Sequence, residues 1–394
     1  MLDTFDSAAT MVAALRPDEP VVALRPHVLE SQARAFVDGF PGDVLYAVKC
    51  NHDPHVLRAL HGGGIRHFDV ASPKEIRRIG AAFPDSERAF MHPVKTRTAI
   101  AEAWRVHGIR TFALDCQEEL DKLIEASGDS PDLVPMVRLE VPRGAAILDL
   151  GGKFGAPVDE AAAILARAAT TADGRPRRLG LTFHVGSQCL DPDAWGRAIG
   201  LAGMAKDRAG VSVSHLDVGG GFPAAYSDAT PPSLDRFVGV IRDAMRFNGF
   251  GEDTHLSCEP GRALVAAGVS IIVRVVLRKG DALYINDGVY GRLDELKMPG
   301  FKHPLRLIRP EGRPSAEIAE YRMFGPTCDP IDSLDGPFRL PADVAEGDWI
   351  EIGQAGAYST ALETDFNGFG GSSTVILTDA PLAAVEPAQS RRAA

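Results

Sequence analysis

Cysteine is scarce in this 394-residue chain and badly placed for cross-linking. Its five cysteines (Cys50, Cys116, Cys189, Cys258, Cys328) are scattered and odd in number, and no CxxC pair occurs. That argues against a disulfide framework or a zinc knuckle and for a reducing cytoplasmic compartment. Long hydrophobic runs are missing too. The longest, Ala263 to Val273, is too short to span a bilayer and is followed by Arg274. The opening MLDTFDSAATMVAALRP carries acids but no basic stretch, so it does not read as a signal peptide. Positive charge is in deficit: 42 Lys and Arg stand against 53 Asp and Glu, a net of −11. Nucleic acid and anionic membranes are therefore not expected partners, although a local basic pocket remains compatible with that balance.

Several catalytic signatures are likewise absent. The phosphate loop GxxxxGK[ST] fails, because Lys153 follows two glycines but Phe154 stands where a hydroxyl is needed. There is no HExxH, and His52, His55, His61 and His67 have no acid in a ligand arrangement, so no metal is expected. Nor is there low-complexity sequence, or any repeat beyond a strand–helix unit.

What is present is a globular balance, 45% hydrophobic and 24% charged, at a length that suits two domains. Eight short apolar runs punctuate the first two thirds: 44–48, 66–70, 88–91, 110–114, 133–139, 179–184, 213–218 and 254–258. Amphipathic stretches lie between them. Ser72-Pro73-Lys74-Glu75 reads as a capping box that opens a helix, and Asp115 with Glu118 as the start of another through Leu123. Eight such repeats with near-continuous apolar strands predict a parallel (β/α)₈ barrel. A doubly wound open sheet competes, but it would want a nucleotide fingerprint in its first turn, where this chain has Lys49 and Asn51. After about Ala266, valine- and isoleucine-rich runs separated by Gly, Pro and Asp predict an all-β domain. The expected division is a barrel over 21–266, a β-domain from 1–20 and 267–382, and a frayed tail over 383–394.

Barrel enzymes carry their chemistry at the C-terminal ends of the strands. Reading those ends gives Lys49, Asp69, Asp115, Arg138, His184, Gly219-Gly220-Gly221 and Glu259. Each has an ordinary explanation alone. A rim lysine is more often an ion-pair lysine, and a histidine a hydrogen-bonded core residue. A glycine triplet is equally a flexible turn, and Glu259 with Arg262 a local salt bridge. The alternative for Lys49 is Schiff-base chemistry with an aldehyde cofactor, and for the glycines close backbone approach to a phosphate. Their convergence on one rim carries more weight than any member.

In order along the chain, YAVKCN, FDVAS with Glu75, HVGSQ, LDVGGGFP, EPGR, GPTCDPID and GAYS resemble the fold-type III decarboxylases of the ornithine, diaminopimelate and arginine group. The resemblance runs from about Val21 to Gly368. It implies an alanine-racemase-like barrel with a C-terminal β-domain, a homodimer with shared sites, and pyridoxal 5′-phosphate as cofactor. It implies further that Lys49 carries the cofactor covalently, His184 stacks on its ring and Glu259 pairs with its ring nitrogen. Ser187, Gly220, Gly221, Gly261, Arg262 and Tyr358 would hold the phosphate, with Asp69, Glu75 and Arg138 supporting Lys49 and the ring. Cys328, from the partner subunit, would reprotonate the substrate carbon, while Asp329 and Asp332 would take its distal amine. The glycine-rich stretch 141–157 is similar to the family's mobile cover over the site.

CDPID, rather than CESxD, resembles the decarboxylases of simple basic amino acids and not the diaminopimelate branch, which implies ornithine first. The Tyr-Asp pair that eukaryotic ornithine enzymes carry after NDGVYG is missing; this chain has RLDELKMPGFKHP. Lysine or a modified diamino acid therefore stays open, as does a non-catalytic regulatory homologue.

Overall fold

The computed structural model describes residues 2–298 and 300–382; the expected tail, 383–394, lies outside them. Eight parallel strands close a barrel: β1 (Asp43–Ala47), β2 (His67–Val70), β3 (Glu87–Phe90), β4 (Thr111–Leu114), β5 (Val134–Arg138), β6 (Gly180–Thr182), β7 (His215–Asp217) and β8 (His255–Cys258). Neighbours in sequence are neighbours in the sheet. Closure comes where Ser257 and Cys258 of β8 pair with Asp43 and Val44 of β1. A helix follows every strand, from Pro54–Gly62 after β1 to the short Arg262–Val265 after β8. Their apolar stripes bury against the sheet, as Phe237, Val238, Ile241 and Met245 do on the helix Leu234–Phe247. Trp195 locks two of these helices together. Its ring lies 4.9 Å from Phe222 and 5.1 Å from Phe237, and its indole N–H donates to the Val218 carbonyl.

The barrel interior is graded. Leu45, Ala89, Met91, Ala113, Val134 and Met136 form an apolar plug. Toward the C-terminal ends the interior turns acidic, with Asp69 and Asp217 each 1% exposed. A structural core does not gather carboxylates there without a use for them, because an unpaired buried charge is costly.

The rest of the described chain builds a nine-stranded mixed sheet. Its centre is the long strand Val269–Lys279, paired with Val21–Leu24, Ala282–Ile285 and Trp349–Ile352. Val21–Leu24 therefore belongs to this sheet and not to the barrel, which is entered through the helix Pro26–Gly39. Arg25, at that junction, is fully buried and donates to Glu351, Ser270 and Asp379.

Two expected helix starts need correction. Ser72 does cap Pro73–Ala82, accepting from the Glu75 N–H, but the Glu75 carboxylate reaches past Ser72 to the Ala71 N–H at 2.6 Å. The helix Gln117–Ser127 begins at Cys116 without a side-chain cap. Asp115 instead accepts from the Gly155 N–H at 2.9 Å, pinning the far end of the 141–157 segment.

Candidate active site

Lys49 leaves β1 in a single 3₁₀ turn, Val48–Cys50, that points it across the barrel mouth. Its ammonium donates to Asp69 Oδ2 at 2.5 Å, and its side chain remains 41% exposed toward the recess. Burial opposes the charge on Lys49, but Asp69 and then Glu259 outweigh it and hold its pKa above the ordinary lysine value. The lysine is thus a cation with a carboxylate at hand to take its proton.

Glu259 follows β8. It is buried and its Oε1 has no hydrogen-bond partner. Burial first, then Asp69 and Asp217, push its pKa well above the usual carboxylate range. An unpartnered buried carboxyl oxygen fits a cationic N–H donor. His184 follows β6, and its Nδ1 accepts the Gly186 N–H at 3.0 Å, which leaves Nε2 carrying the proton in the neutral ring. Burial, then Arg138 and Lys49, push its pKa down to about 3, so the imidazole is neutral throughout the physiological range.

The other wall suits an anion. Gly221 has φ of +100°, a conformation that favours glycine, and a Cβ at Gly220 would stand 2.7 Å from the Glu259 carbonyl and 2.9 Å from His184 Nε2. The triplet is a necessity of close approach, and Asp217 secures it by accepting the Gly219 N–H at 2.7 Å. Burial pushes Asp217 up to about 6. Tyr358 sits at φ +53°, uncommon for a side-chain-bearing residue, and its N–H donates to the Cys50 carbonyl. Lys49, His184, Ser187, Gly221, Glu259, Gly261, Arg262 and Tyr358 all line one narrow recess.

Not every expected residue meets there. Glu75 gives one oxygen to the Ala71 N–H and does not line the recess, although its carboxyl lies near enough to Asp69 and Lys49 to feel their charges. Arg138, at the end of β5, lies beside the 141–157 segment, 5.7 Å from the Phe154 ring, and makes no ion pair among the described residues. That segment is docked, its strand Ala146–Leu148 pairing antiparallel with Ser187–Cys189. Cys328, Asp329 and Asp332 line a different groove in the sheet region, about 790 Å³, with Tyr284, Phe324 and Phe369 among its walls. It shares no residue with the recess. Cys328 is exposed, 3.3 Å from Asn367 Oδ1. Asp329 accepts from the Tyr290 hydroxyl at 2.6 Å, and that bond, with the Ile331 N–H, holds its carboxyl below the ordinary value. Asp332 is a correction: it is 3% exposed and accepts from the Val289 N–H and from the Thr327 N–H and hydroxyl. Its oxygens organise a loop, Oδ1 with one bond and Oδ2 with two.

Sequence reasoning missed Asp217, although an acid two residues before a glycine turn is a recognisable signal for a side chain folded back on its own backbone. It also missed Tyr290, the hydroxyl that aims Asp329, and Glu295, which meets Arg262 below the recess.

The lysine, the unpartnered acid, the neutral imidazole and the glycine-lined anion wall fit pyridoxal phosphate, a pyridinium aldehyde with a phosphate at one end. Residues 27–266 match the family model described as the pyridoxal-dependent decarboxylase, pyridoxal binding domain. The chain is 32% identical over 407 residues to ornithine decarboxylase of Panagrellus redivivus, covering 95% of this chain and 90% of that one. It is 32% identical over 347 residues to the lysine/ornithine decarboxylase of Selenomonas ruminantium, covering 86% and 84%. The structure of the Paramecium bursaria Chlorella virus arginine decarboxylase bound to agmatine superposes with a TM-score of 0.81 at 27% identity, over 93% of this chain and 98% of that one. No helix among the described residues is long and apolar enough to cross a membrane. The chain belongs to the pyridoxal-dependent decarboxylases and is a pyridoxal-phosphate-dependent amino-acid decarboxylase.

Proposed function

We propose that this enzyme decarboxylates a basic L-amino acid, L-ornithine first, releasing carbon dioxide and the diamine putrescine, with L-lysine as the second candidate. The observation that carries the chemistry is Lys49 paired with Asp69 opposite the buried, unpartnered Oε1 of Glu259. Bound pyridoxal phosphate supplies an electron-withdrawing ring that takes up the electron pair left when carbon dioxide departs. Lys49 Nζ is the amine that would carry the cofactor, and Asp69 Oδ2 is placed to hold its proton. Glu259 would hold a proton against the ring nitrogen, and the neutral His184 would lie flat against the ring without competing charge. Gly220, Gly221, Gly261, Ser187, Arg262 and Tyr358 would hold the phosphate. The docked 141–157 segment, paired with Ser187–Cys189, would shield the Ser187 side from water.

Decarboxylation replaces the carboxylate with a proton, so the site needs a proton donor. Cys328 is that donor in this reading, and Asp329, aimed by Tyr290, binds the distal ammonium. Because both sit in the separate groove, they serve the recess of a second copy in a homodimer. The apolar walls of that groove and the exposed Ile331, Phe366 and Phe369 support such a contact surface. Purified enzyme supplied with cofactor is tested against L-ornithine, L-lysine, L-arginine and meso-diaminopimelate with amine detection. Turnover of ornithine above the other three supports the proposal. Preference for lysine moves the substrate within the class, and preference for diaminopimelate or silence on all four overturns it.

A further inference from the structure

Arg262 stands beside Ser187 in the recess lining, and its donors are already directed. Glu295 accepts from its Nη2 at 2.5 Å and its Nη1 at 2.7 Å, a bidentate grip on the end edge of the guanidinium. The Tyr226 hydroxyl accepts from Nη1 at 2.7 Å. That leaves the side edge, Nε and Nη2, which faces Ser187 Oγ with two slack bonds of 3.3 Å. Ser187 lines the recess, so this is the edge an anion there would meet. The support is buried on all sides: Arg262 is 3% exposed, Glu295 5% and Tyr226 0%, and the Phe301 ring lies 4.5 Å from the guanidinium. Glu295 reaches Arg262 from the 3₁₀ turn Asp294–Lys297, inside the segment that departs from the Tyr-Asp pattern of ornithine enzymes.

We propose that Glu295 is a positioning residue for the cofactor phosphate: it fixes the end edge of Arg262 so that the side edge is presented, pre-aimed, to the anion. A planar guanidinium gripped along one edge loses its rotational freedom before the ligand arrives, so less ordering is left for binding to impose. The inference rests on the reading that Arg262 and Ser187 hold the phosphate.

The test compares apoenzyme affinity for pyridoxal phosphate and for pyridoxal, which lacks the phosphate, by fluorescence titration. The dissociation constant for pyridoxal divided by that for pyridoxal phosphate measures phosphate recognition apart from ring binding and folding. Arg262→Ala is expected to lower that ratio by roughly tenfold or more. Glu295→Gln, nearly isosteric, is expected to lower it toward the Arg262→Ala value while pyridoxal affinity stays at wild type. Glu295→Asp, which retracts the carboxylate by one methylene, falls between. The double variant Arg262→Ala/Glu295→Gln should lose no more than Arg262→Ala alone, because Glu295 acts through Arg262. A wild-type ratio in Glu295→Gln while Arg262→Ala falls overturns the inference. Additive losses in the double variant overturn it as well. An unchanged ratio in Arg262→Ala shows instead that the assignment of the phosphate site is at fault.

Discussion

The recess at the barrel mouth and the groove in the sheet region are built on opposite plans. In the recess, polar groups are buried and most are tied to a fixed partner within the same chain: Lys49 to Asp69, His184 to Gly186, Arg262 to Glu295. The groove is larger and mostly apolar, and its reactive side chains, Cys328 and Asp329, remain accessible. A cofactor that stays through many turnovers rewards a rigid, pre-paid cradle. A substrate that comes and goes needs groups that open to solvent and close again. On the proposed reading, the contrast is that between a complete cofactor site and half of a substrate site on one chain.

That comparison breaks most sharply in a mixing experiment. Lys49→Ala and Cys328→Ala should each be nearly inactive alone. Mixed and reassorted in equal amounts, they should recover about one quarter of wild-type activity, because half of the dimers are mixed and each has one intact site. No recovery would show that the groove does not serve a second copy's recess. The next effect separates two neighbouring acids. Asp329→Asn should raise KM for the diamino substrate by roughly 30-fold or more with stability unchanged, as expected when one partner of a charge pair is lost. Asp332→Asn should do the reverse, costing about 1–3 kcal/mol in denaturant unfolding with KM near wild type, because its oxygens bond only Val289 and Thr327.

The smallest effect is in pH. Burial pushes His184 down to about 3 and His215 and His303 down to about 4, against about 6.5 in an unfolded chain. These groups are neutral when folded and take up protons on unfolding below that value, so their contribution is present above pH 6.5 and is lost as pH falls toward 4. Asp217, pushed up to about 6, has the opposite sign: the stability it adds is lost as pH rises through 6. His303→Gln should therefore lose less thermal midpoint between pH 7 and pH 5 than wild type does. An equal loss would remove His303 from the account.

The eight barrel strands are legible because parallel strands covered on both faces must be apolar nearly throughout, and each observed strand falls within a few residues of its run. Lys49 and Glu259 are legible for a related reason, since they stand where such strands end. What escapes is long-range. Val21–Leu24 pairs with residues 269–272 and 373–376, and nothing in its four apolar residues says which sheet it joins. Glu295 is one acid in a short polar turn, and only the folded chain brings it to Arg262, 33 residues away. Asp332 reads as a second acid for the distal amine, whereas the loop wraps around it and bonds its oxygens through Val289 and Thr327.

The central claim is that Lys49 carries the cofactor, and one measurement addresses it directly. Cofactor-supplied protein is reduced with borohydride, digested, and mapped by mass spectrometry. The account predicts a stable pyridoxyl label on the peptide containing Lys49. A label confined to another lysine, or none at all, contradicts it.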